Sequence, residues 1–173
     1  MKALLIVDMI HEFVDGKFGS EEARKIVPKI KEFAEKFKKN GGLVVYFKDS
    51  HTVTDPEIRV WGEHAMRGTW GSEIVEELQP EEGDIVIEKT TYDSFLFTAA
   101  NDILKERDVD EVYICGVATD ICVMHTAFGA FARGFKVNIV EDLCAGTGEE
   151  EHRWALGYIQ KIYGAKIVRS DEV

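Results

Sequence analysis

The sequence contains few cysteines, only three prolines and no long hydrophobic run. Its three cysteines, Cys115, Cys122 and Cys144, cannot all pair with one another, and none belongs to a CxxC spacing. We therefore expect neither a disulfide framework nor a structural zinc knuckle. The first apolar run, residues 3–7, is followed by Asp8 and is far too short for a membrane span or a signal-peptide core. These absences predict a cytoplasmic protein that does not act at a membrane.

Basic residues are also in short supply. The chain has 21 Lys and Arg against 32 Asp and Glu, which gives a formal net charge of -11. Such a charge repels phosphate backbones and anionic lipid surfaces, so nucleic acid is not expected as a partner. A length of 173 residues with 45% hydrophobic residues suits one packed domain, and we expect residues 1–173 to form it.

Short β-branched runs alternate with longer amphipathic stretches, which is the pattern of βαβ units around a parallel sheet. Most of the predicted strands are nearly continuous apolar runs, as expected where helices cover both faces of a sheet. The strands are predicted at residues 2–7, 43–48, 84–88, 111–115, 136–140 and 166–168. Helices are predicted at residues 20–40, 72–78, 95–106, 121–133 and 149–163. The long connection over residues 49–71 is rich in His and Trp, which favours a functional segment.

Ligands of an open parallel sheet bind beyond the carboxyl ends of its strands. Cys122 follows the fourth predicted strand at the start of a helix, where a thiol pKa is lowered and backbone N–H groups can stabilise an oxyanion. The pattern allows a nucleophile there, or a small buried hydrophobic residue. Asp8 and Lys89 end two other strands and suit a proton acceptor and its counter-ion, although each could be an ordinary turn charge.

A second group of candidates lies on the connection after the second strand. Asp49 and His51 point the same way on an extended segment, and His64 follows further along. These three residues suit an open metal site, although loop histidines are more often exposed. Aromatic residues near the same edge suit either loop packing or a wall for a flat ring: Phe13, Trp61, Trp70, Tyr92 and Phe95. His11 is expected to border the pocket, and His125 and His152 to be structural.

Together these motifs resemble the isochorismatase-like cysteine hydrolases, and within them the nicotinamidase/pyrazinamidase branch. The motifs occur in family order over essentially the whole chain: Asp8-Met9-x-x-x-Phe13, Asp49-x-His51, Trp61-x-x-His64 with Gly68-Thr69, Glu88-Lys89, and Gly116-Val117-Ala118-Thr119-Asp120-x-Cys122-Val123. The resemblance implies an α/β fold with three layers, α-β-α, and a six-stranded parallel sheet of order 3-2-1-4-5-6.

The resemblance also implies the roles of site residues. Asp8, Lys89 and Cys122 match the family's catalytic triad. A cis peptide is implied between Val117 and Ala118, and the backbone N–H groups of Ala118 and Cys122 would form the oxyanion hole.

The metal and substrate residues are implied in the same way. Asp49, His51 and His64 match the ligands of one divalent metal, for which zinc is expected and iron or manganese are alternatives. Phe13 and Trp61 match residues that sandwich the substrate ring, and Tyr92 is expected to contact the substrate. The family also implies a homo-oligomer.

Some positions depart from the nicotinamidase pattern. After Asp8, the usual Gln and Asn are replaced by Ile10 and His11. After Lys89, the usual aromatic-Ser-Gly-Phe is replaced by Tyr92-Asp93-Ser94-Phe95. The fourth ligand position has no histidine, although Asp55 or Glu57 could stand nearby. The leading hypothesis is a nicotinamidase that releases nicotinate and ammonia through a cysteine thioester. The departures leave open an N-carbamoylsarcosine amidase or another small-amide hydrolase with the same triad. A non-catalytic module that binds a small molecule is the alternative from another class.

Overall fold

The computed structural model describes residues 1–173 and confirms the predicted sheet. Six parallel strands pair in the order β3-β2-β1-β4-β5-β6. They are β1 (Lys2–Val7), β2 (Leu43–Asp49), β3 (Ile85–Lys89), β4 (Glu111–Val117), β5 (Lys136–Ala145) and β6 (Lys166–Val168). The strand β1 lies at the centre, and Ala3–Val7 are fully buried there because both faces of the sheet are covered.

The helices are α1 (His11–Val14), α2 (Glu21–Lys39), α3 (Ile58–Trp61), α4 (Ala100–Lys105), α5 (Met124–Ala132) and α6 (Glu149–Tyr163). Right-handed crossovers put α2 on one face of the sheet and α5 and α6 on the other, because the chain winds outward from the centre in opposite directions. The longest helix, α2, begins as predicted, since Ser20 Oγ accepts a hydrogen bond from Ala23 N at 3.0 Å. None of the helices combines the length and the apolar surface needed to cross a bilayer.

Several predicted helix bounds were wrong. The helix expected at residues 95–106 begins only at Ala100, because side chains of the preceding segment bond to the backbone in turns. Asp93 accepts from Phe95 N at 2.8 Å, and Thr98 Oγ1 donates to Ser94 O at 2.7 Å. The short helix expected at residues 72–78 is two separate 3-10 turns, Trp70–Ser72 and Glu76–Leu78.

The turn after β4 differs from a regular helix start. Residues Thr119–Val123 form a π-helical turn before α5 begins at Met124. Gly116, at the end of β4, has a φ of 115°, and a Cβ there would lie 2.1 Å from the carbonyl oxygen of Val7. Only glycine therefore allows β4 to run so close to β1 at the edge where both strands end.

Candidate active site

Asp8, Lys89 and Cys122 come together in the interior beyond the carboxyl ends of β1, β3 and β4. Lys89 Nζ lies 2.9 Å from Asp8 Oδ2 and 3.6 Å from Cys122 Sγ. All three residues are buried. Asp8 has a φ of 53°, a region that Asp tolerates better than most residues, and its Oδ1 accepts from the N–H of Asp49 at 2.9 Å. The structure thus brings together the three residues proposed as a catalytic triad.

Burial controls the protonation of this group. It raises the pKa of Asp8 to about 6, to which the nearby Asp49 carboxylate adds while Lys89 opposes it. Burial alone would lower the pKa of Lys89, but the carboxylates of Asp49 and Asp8 outweigh it and hold the lysine charged. Burial also raises the pKa of the Cys122 thiol well above its usual range, against the opposing charge of Lys89.

The raised thiol pKa differs from the sequence-based expectation, which placed Cys122 at a helix terminus that lowers it. The reason is that desolvation and the two carboxylates, Asp8 and Asp49, outweigh the influence of Lys89. Cys122 is therefore a protonated thiol at rest, with the Asp8 carboxylate beside it as a proton acceptor.

The segment between β4 and Cys122 forms part of the same wall. The peptide bond between Val117 and Ala118 is cis, and both residues line the cavity with Cys122. Thr119 Oγ1 bonds His152 Nδ1 of α6 at 2.7 Å, and Asp120 accepts from Thr147 N at 2.9 Å. These contacts fix the turn that carries the thiol, and His152 has the structural place expected for it.

Four side chains form a second buried cluster next to the triad. Asp49, His51, Glu57 and His64 each offer a ligand atom, and these atoms all lie within 4.8 Å of one another. His51 Nε2 lies 3.4 Å from Asp49 Oδ2 and 3.6 Å from Glu57 Oε1, and His64 Nε2 lies 3.9 Å from Glu57 Oε1. Lys89 joins the two clusters, because its Nζ also donates to Asp49 Oδ1 at 2.6 Å.

Both histidines turn the same nitrogen inward. His51 Nδ1 lies 2.9 Å from Asp55 Oδ2, and His64 Nδ1 lies 2.8 Å from the carbonyl oxygen of Gly62. Because a carboxylate and a carbonyl only accept, each Nδ1 carries a hydrogen, and Nε2 is the nitrogen of each ring that faces the cluster and could bind a metal. This arrangement is typical of metal-binding histidines. Of the two acids considered as a fourth ligand, Glu57 belongs to the cluster, whereas Asp55 bonds Nδ1 on the opposite side of the His51 ring.

The cluster also has polar atoms that nothing in the protein satisfies. Asp49 Oδ2, His51 Nε2 and Glu57 Oε2 are buried and have no hydrogen-bond partner. Unsatisfied buried polar atoms are costly, and a divalent cation would satisfy all three at once. The donor set of two imidazoles and two carboxylates suits zinc, and also iron or manganese. The residues present therefore fit a metal ion.

A cavity of about 410 Å³ opens onto both clusters. Its walls include Cys122 on one side, Asp49, Glu57 and His64 on another, and aromatic rings at the mouth. Phe13, Trp61 and Tyr92 all line it, and Trp61 Nε1 donates to the Tyr92 hydroxyl at 3.0 Å. The structure thus places the three predicted substrate-contact residues around one space.

Sequence reasoning missed several wall residues, among them the aromatic Phe18, and it placed His11 wrongly. Phe18 lines the cavity, with its ring 5.8 Å from that of Trp61, but it lies in an irregular segment with no periodic signal. His11 does not border the cavity; it bonds Asp15 and stacks on Trp70 at 4.2 Å. For two of the aromatic residues whose role the sequence left open, the structure favours packing over a cavity wall: Trp70 lies outside the cavity, and Phe95 is buried in the core.

Comparison with known proteins agrees with this architecture. The family model described as "Isochorismatase domain" matches residues 2–172, and the chain belongs to this family of hydrolases. A solved N-carbamoylsarcosine amidase from Thermoplasma acidophilum is 41% identical, with a TM-score of 0.94 over 99% of this chain and 98% of that one.

Two solved structures are from the nicotinamidase branch. The nicotinamidase/pyrazinamidase PncA of Bacillus subtilis is 33% identical, with a TM-score of 0.91 over 97% of this chain and 99% of that one. The pyrazinamidase of Pyrococcus horikoshii, solved in complex with zinc, is 34% identical, with a TM-score of 0.89 over 97% of this chain and 98% of that one.

Proposed function

We propose that this protein is a metal-dependent cysteine amidohydrolase of the linear amide class, with nicotinamide as its substrate. The observation that carries the proposal is that one cavity joins the Asp8, Lys89 and Cys122 group to the cluster of possible metal ligands. A ring held at the aromatic mouth would then have its amide at the thiol.

In the first half-reaction, Asp8 takes the proton of Cys122 while Sγ attacks the amide carbonyl carbon. The carbonyl oxygen becomes an oxyanion beside the backbone N–H groups of Ala118 and Cys122. Asp8 then returns the proton to the amide nitrogen. The carbon–nitrogen bond breaks as the carbonyl re-forms, ammonia leaves, and the nicotinoyl group remains bound to Cys122 as a thioester.

In the second half-reaction, Asp8 takes a proton from water as the water oxygen attacks the thioester carbon. The carbon–sulfur bond breaks, the acid product leaves, and Asp8 returns the proton to Sγ. Lys89 stabilises the negative charge that moves between Asp8 and Sγ, because its ammonium lies within 3.6 Å of both. Every residue of the triad ends in its starting state.

Asp49, His51, Glu57 and His64 would hold the metal ion, and zinc is the ion that we propose. When bound, the ion supplies a Lewis-acidic contact for the ring nitrogen of the substrate. Phe13 and Trp61 would enclose the ring, and the Tyr92 hydroxyl would keep Trp61 in place through their hydrogen bond. Substrate position would thus depend on this cluster, and bond cleavage on the triad.

Ammonia release from a panel of amides tests the proposal. We expect turnover of nicotinamide and pyrazinamide by the zinc-loaded enzyme and none by Cys122→Ala. Absence of nicotinamide turnover would refute the substrate assignment. Absence of turnover with every amide, by an enzyme with a full complement of metal, would support the module that only binds a small molecule.

N-carbamoyl amines form a second candidate substrate class. The observation that favours them is the higher similarity, 41% identity and a TM-score of 0.94, to the N-carbamoylsarcosine amidase. The same thiol chemistry would release ammonia from a carbamoyl group. Comparing kcat/KM for nicotinamide and for N-carbamoylsarcosine decides between the two substrate classes. Both values are measured on the same preparation, so a difference between them reflects only the substrate.

A further inference from the structure

One acid near the cavity belongs neither to the triad nor to the cluster of possible metal ligands. Glu12 lies in the short helix α1, directly before the cavity residue Phe13. Its half-buried side chain reaches the long connection after β2, where Oε2 accepts a hydrogen bond from the N–H of Ala65 at 3.0 Å. Ala65 directly follows His64 in the chain. The bond therefore fastens the backbone next to one of the proposed metal ligands.

Ala65 is held in a backbone conformation that alanine seldom adopts. Its φ is 45°, in the left-handed region, where Cβ crowds the backbone. A buried residue in such a conformation persists only when its surroundings fix it, and residues of this kind are concentrated at ligand sites. Ala65 is fixed on both sides, because Glu12 accepts from its N–H and its carbonyl oxygen accepts from the N–H of His51 at 2.9 Å.

The same residue is part of the backbone bridge that joins the two histidines of the metal cluster. His51 N–H donates to the Ala65 carbonyl, and Arg67 N–H donates to the His51 carbonyl, each at 2.9 Å. This short parallel bridge sets how the segment of His51 lies against the segment that follows His64. Glu12 ties the outer side of the bridge to α1. Without the carboxylate, the N–H of Ala65 would be buried with no acceptor, and nothing on that side would hold the strained residue in place.

Gly71 leaves room for this carboxylate. A Cβ at residue 71 would collide with Oε2 of Glu12, the atom that accepts from Ala65. The backbone of Gly71 is not in the left-handed region, so its conformation alone does not require glycine. The close approach of the Glu12 carboxylate does require it.

We propose that Glu12 is a positioning residue of the metal site: its carboxylate fixes the backbone of Ala65 and, through it, the imidazole of His64 relative to His51. The inference rests on the metal site proposed above, and it gives Glu12 no contact with metal or substrate. Because Oε2 accepts from a neutral N–H, the role needs an acceptor oxygen and no negative charge. Glutamine carries such an oxygen on a side chain of equal length.

Isothermal titration of the metal-free full chain with zinc tests this role. We expect Glu12→Ala to raise the zinc Kd about tenfold, as loss of a group that supports a metal ligand does, and Glu12→Gln to stay within about threefold of the unaltered protein. Glu73→Ala is the matched control, because it removes an exposed carboxylate from the turn that contains Gly71. It should leave the Kd unchanged.

A second variant breaks the same contact and leaves Glu12 in place. Gly71→Ala should push the carboxylate away from Ala65 and raise the zinc Kd about as much as Glu12→Ala. The double variant should raise it no further, because both changes act on one contact. Amide hydrogen exchange at Ala65 in the metal-free protein reports the contact itself. It should accelerate in Glu12→Ala and Gly71→Ala, and stay slow in Glu12→Gln.

The outcomes separate this inference from the metal site on which it rests. Equal zinc Kd values for Glu12→Ala and Glu73→Ala would overturn the role of Glu12 alone, as would a Glu12→Gln protein that binds zinc as weakly as Glu12→Ala. If Glu12→Ala does not fold, Gly71→Ala takes its place in the same comparison. An unaltered protein that binds no zinc would refute the proposed metal site, and the role of Glu12 with it.

Discussion

At the scale of single residues, the site depends on side chains that never touch the substrate. Asp55 is one of these: its carboxylate fixes the ring of His51 and leaves Nε2 free to face Asp49 and Glu57. Thr52 N and Thr52 Oγ1 hold that carboxylate in turn, at 3.0 and 3.2 Å. The proposed metal cluster is thus preorganised by an acid in the same loop.

Asp55→Ala should therefore weaken metal binding. We expect the zinc Kd to rise by about 10- to 100-fold, which is the usual effect of removing a carboxylate that orients a metal-binding histidine. Isothermal titration with zinc measures this change without reference to activity. Glu63→Ala, which removes an exposed carboxylate from the same connection, is the control and should leave the Kd unchanged. Equal affinities for both variants would contradict the role given to Asp55.

At the scale of secondary-structure elements, the site exists because four parallel strands end together. Asp49 and Lys89 are register partners in β2 and β3, and Val7, just before Asp8, pairs with Gly116 of β4. Close approach of β4 to β1 at this edge requires a residue without Cβ. The position of Cys122 relative to Asp8 therefore depends on Gly116.

Gly116→Ala should destabilise the fold strongly. A Cβ would collide with the backbone of Val7, and the φ of 115° is unfavourable for alanine, so we expect a loss of at least about 3 kcal/mol in the free energy of unfolding. Gly41→Ala is the matched control, because Gly41 has a φ of 83° but open space around it. That variant should lose only about 1 kcal/mol. Urea denaturation of both measures the difference, and similar losses would contradict the collision argument.

The elements also show what could be predicted from the sequence. The positions of the six strands and the convergence of Asp8, Lys89 and Cys122 could be predicted, because buried parallel strands read as apolar runs and their carboxyl ends share one edge. The order of the strands followed only from the family resemblance. The place of Phe18 could not be predicted, since it depends on how an irregular segment folds over the mouth. The start of α4 at Ala100 could not be predicted either. It depends on local hydrogen bonds of the Asp93 and Thr98 side chains to the backbone, and the spacing of hydrophobic residues does not reveal such bonds.

The link between the two clusters was equally hidden. Lys89 was expected to be the counter-ion of Asp8 and Cys122, yet its shortest contact is with Asp49, at 2.6 Å. The contact between Lys89 and Asp49 depends on the register of β2 and β3. The register of parallel strands that are distant in sequence cannot be predicted from a local motif. Burial is the largest cause of the raised thiol pKa, and the same register adds to it by placing a second carboxylate, Asp49, near Cys122.

At the scale of the whole molecule, metal binding should contribute to stability. The ion would satisfy buried polar atoms of Asp49, His51 and Glu57 that otherwise have no partner. A ligand that binds only the folded state at about 1,000 times its Kd stabilises by about 4 kcal/mol. We therefore expect a chelator to lower the thermal unfolding midpoint and added zinc to restore it.

His64→Ala is the control for this measurement, because it removes one proposed ligand. Its unfolding midpoint should respond far less to zinc and to the chelator. If neither the chelator nor added zinc changes the thermal unfolding midpoint of the unaltered protein, the metal assignment is contradicted.

The central claim is that the thiol makes and breaks the covalent bond while the metal cluster positions the substrate. Cys122→Ala tests this most directly, by single-turnover ammonia release together with metal content and nicotinamide binding. We predict that turnover falls about a thousandfold or more while zinc and nicotinamide still bind, and that Asp8→Ala/Cys122→Ala loses no more than either single variant. A metal-replete Cys122→Ala protein that retains most of the activity would contradict the claim and point to attack by a metal-activated water.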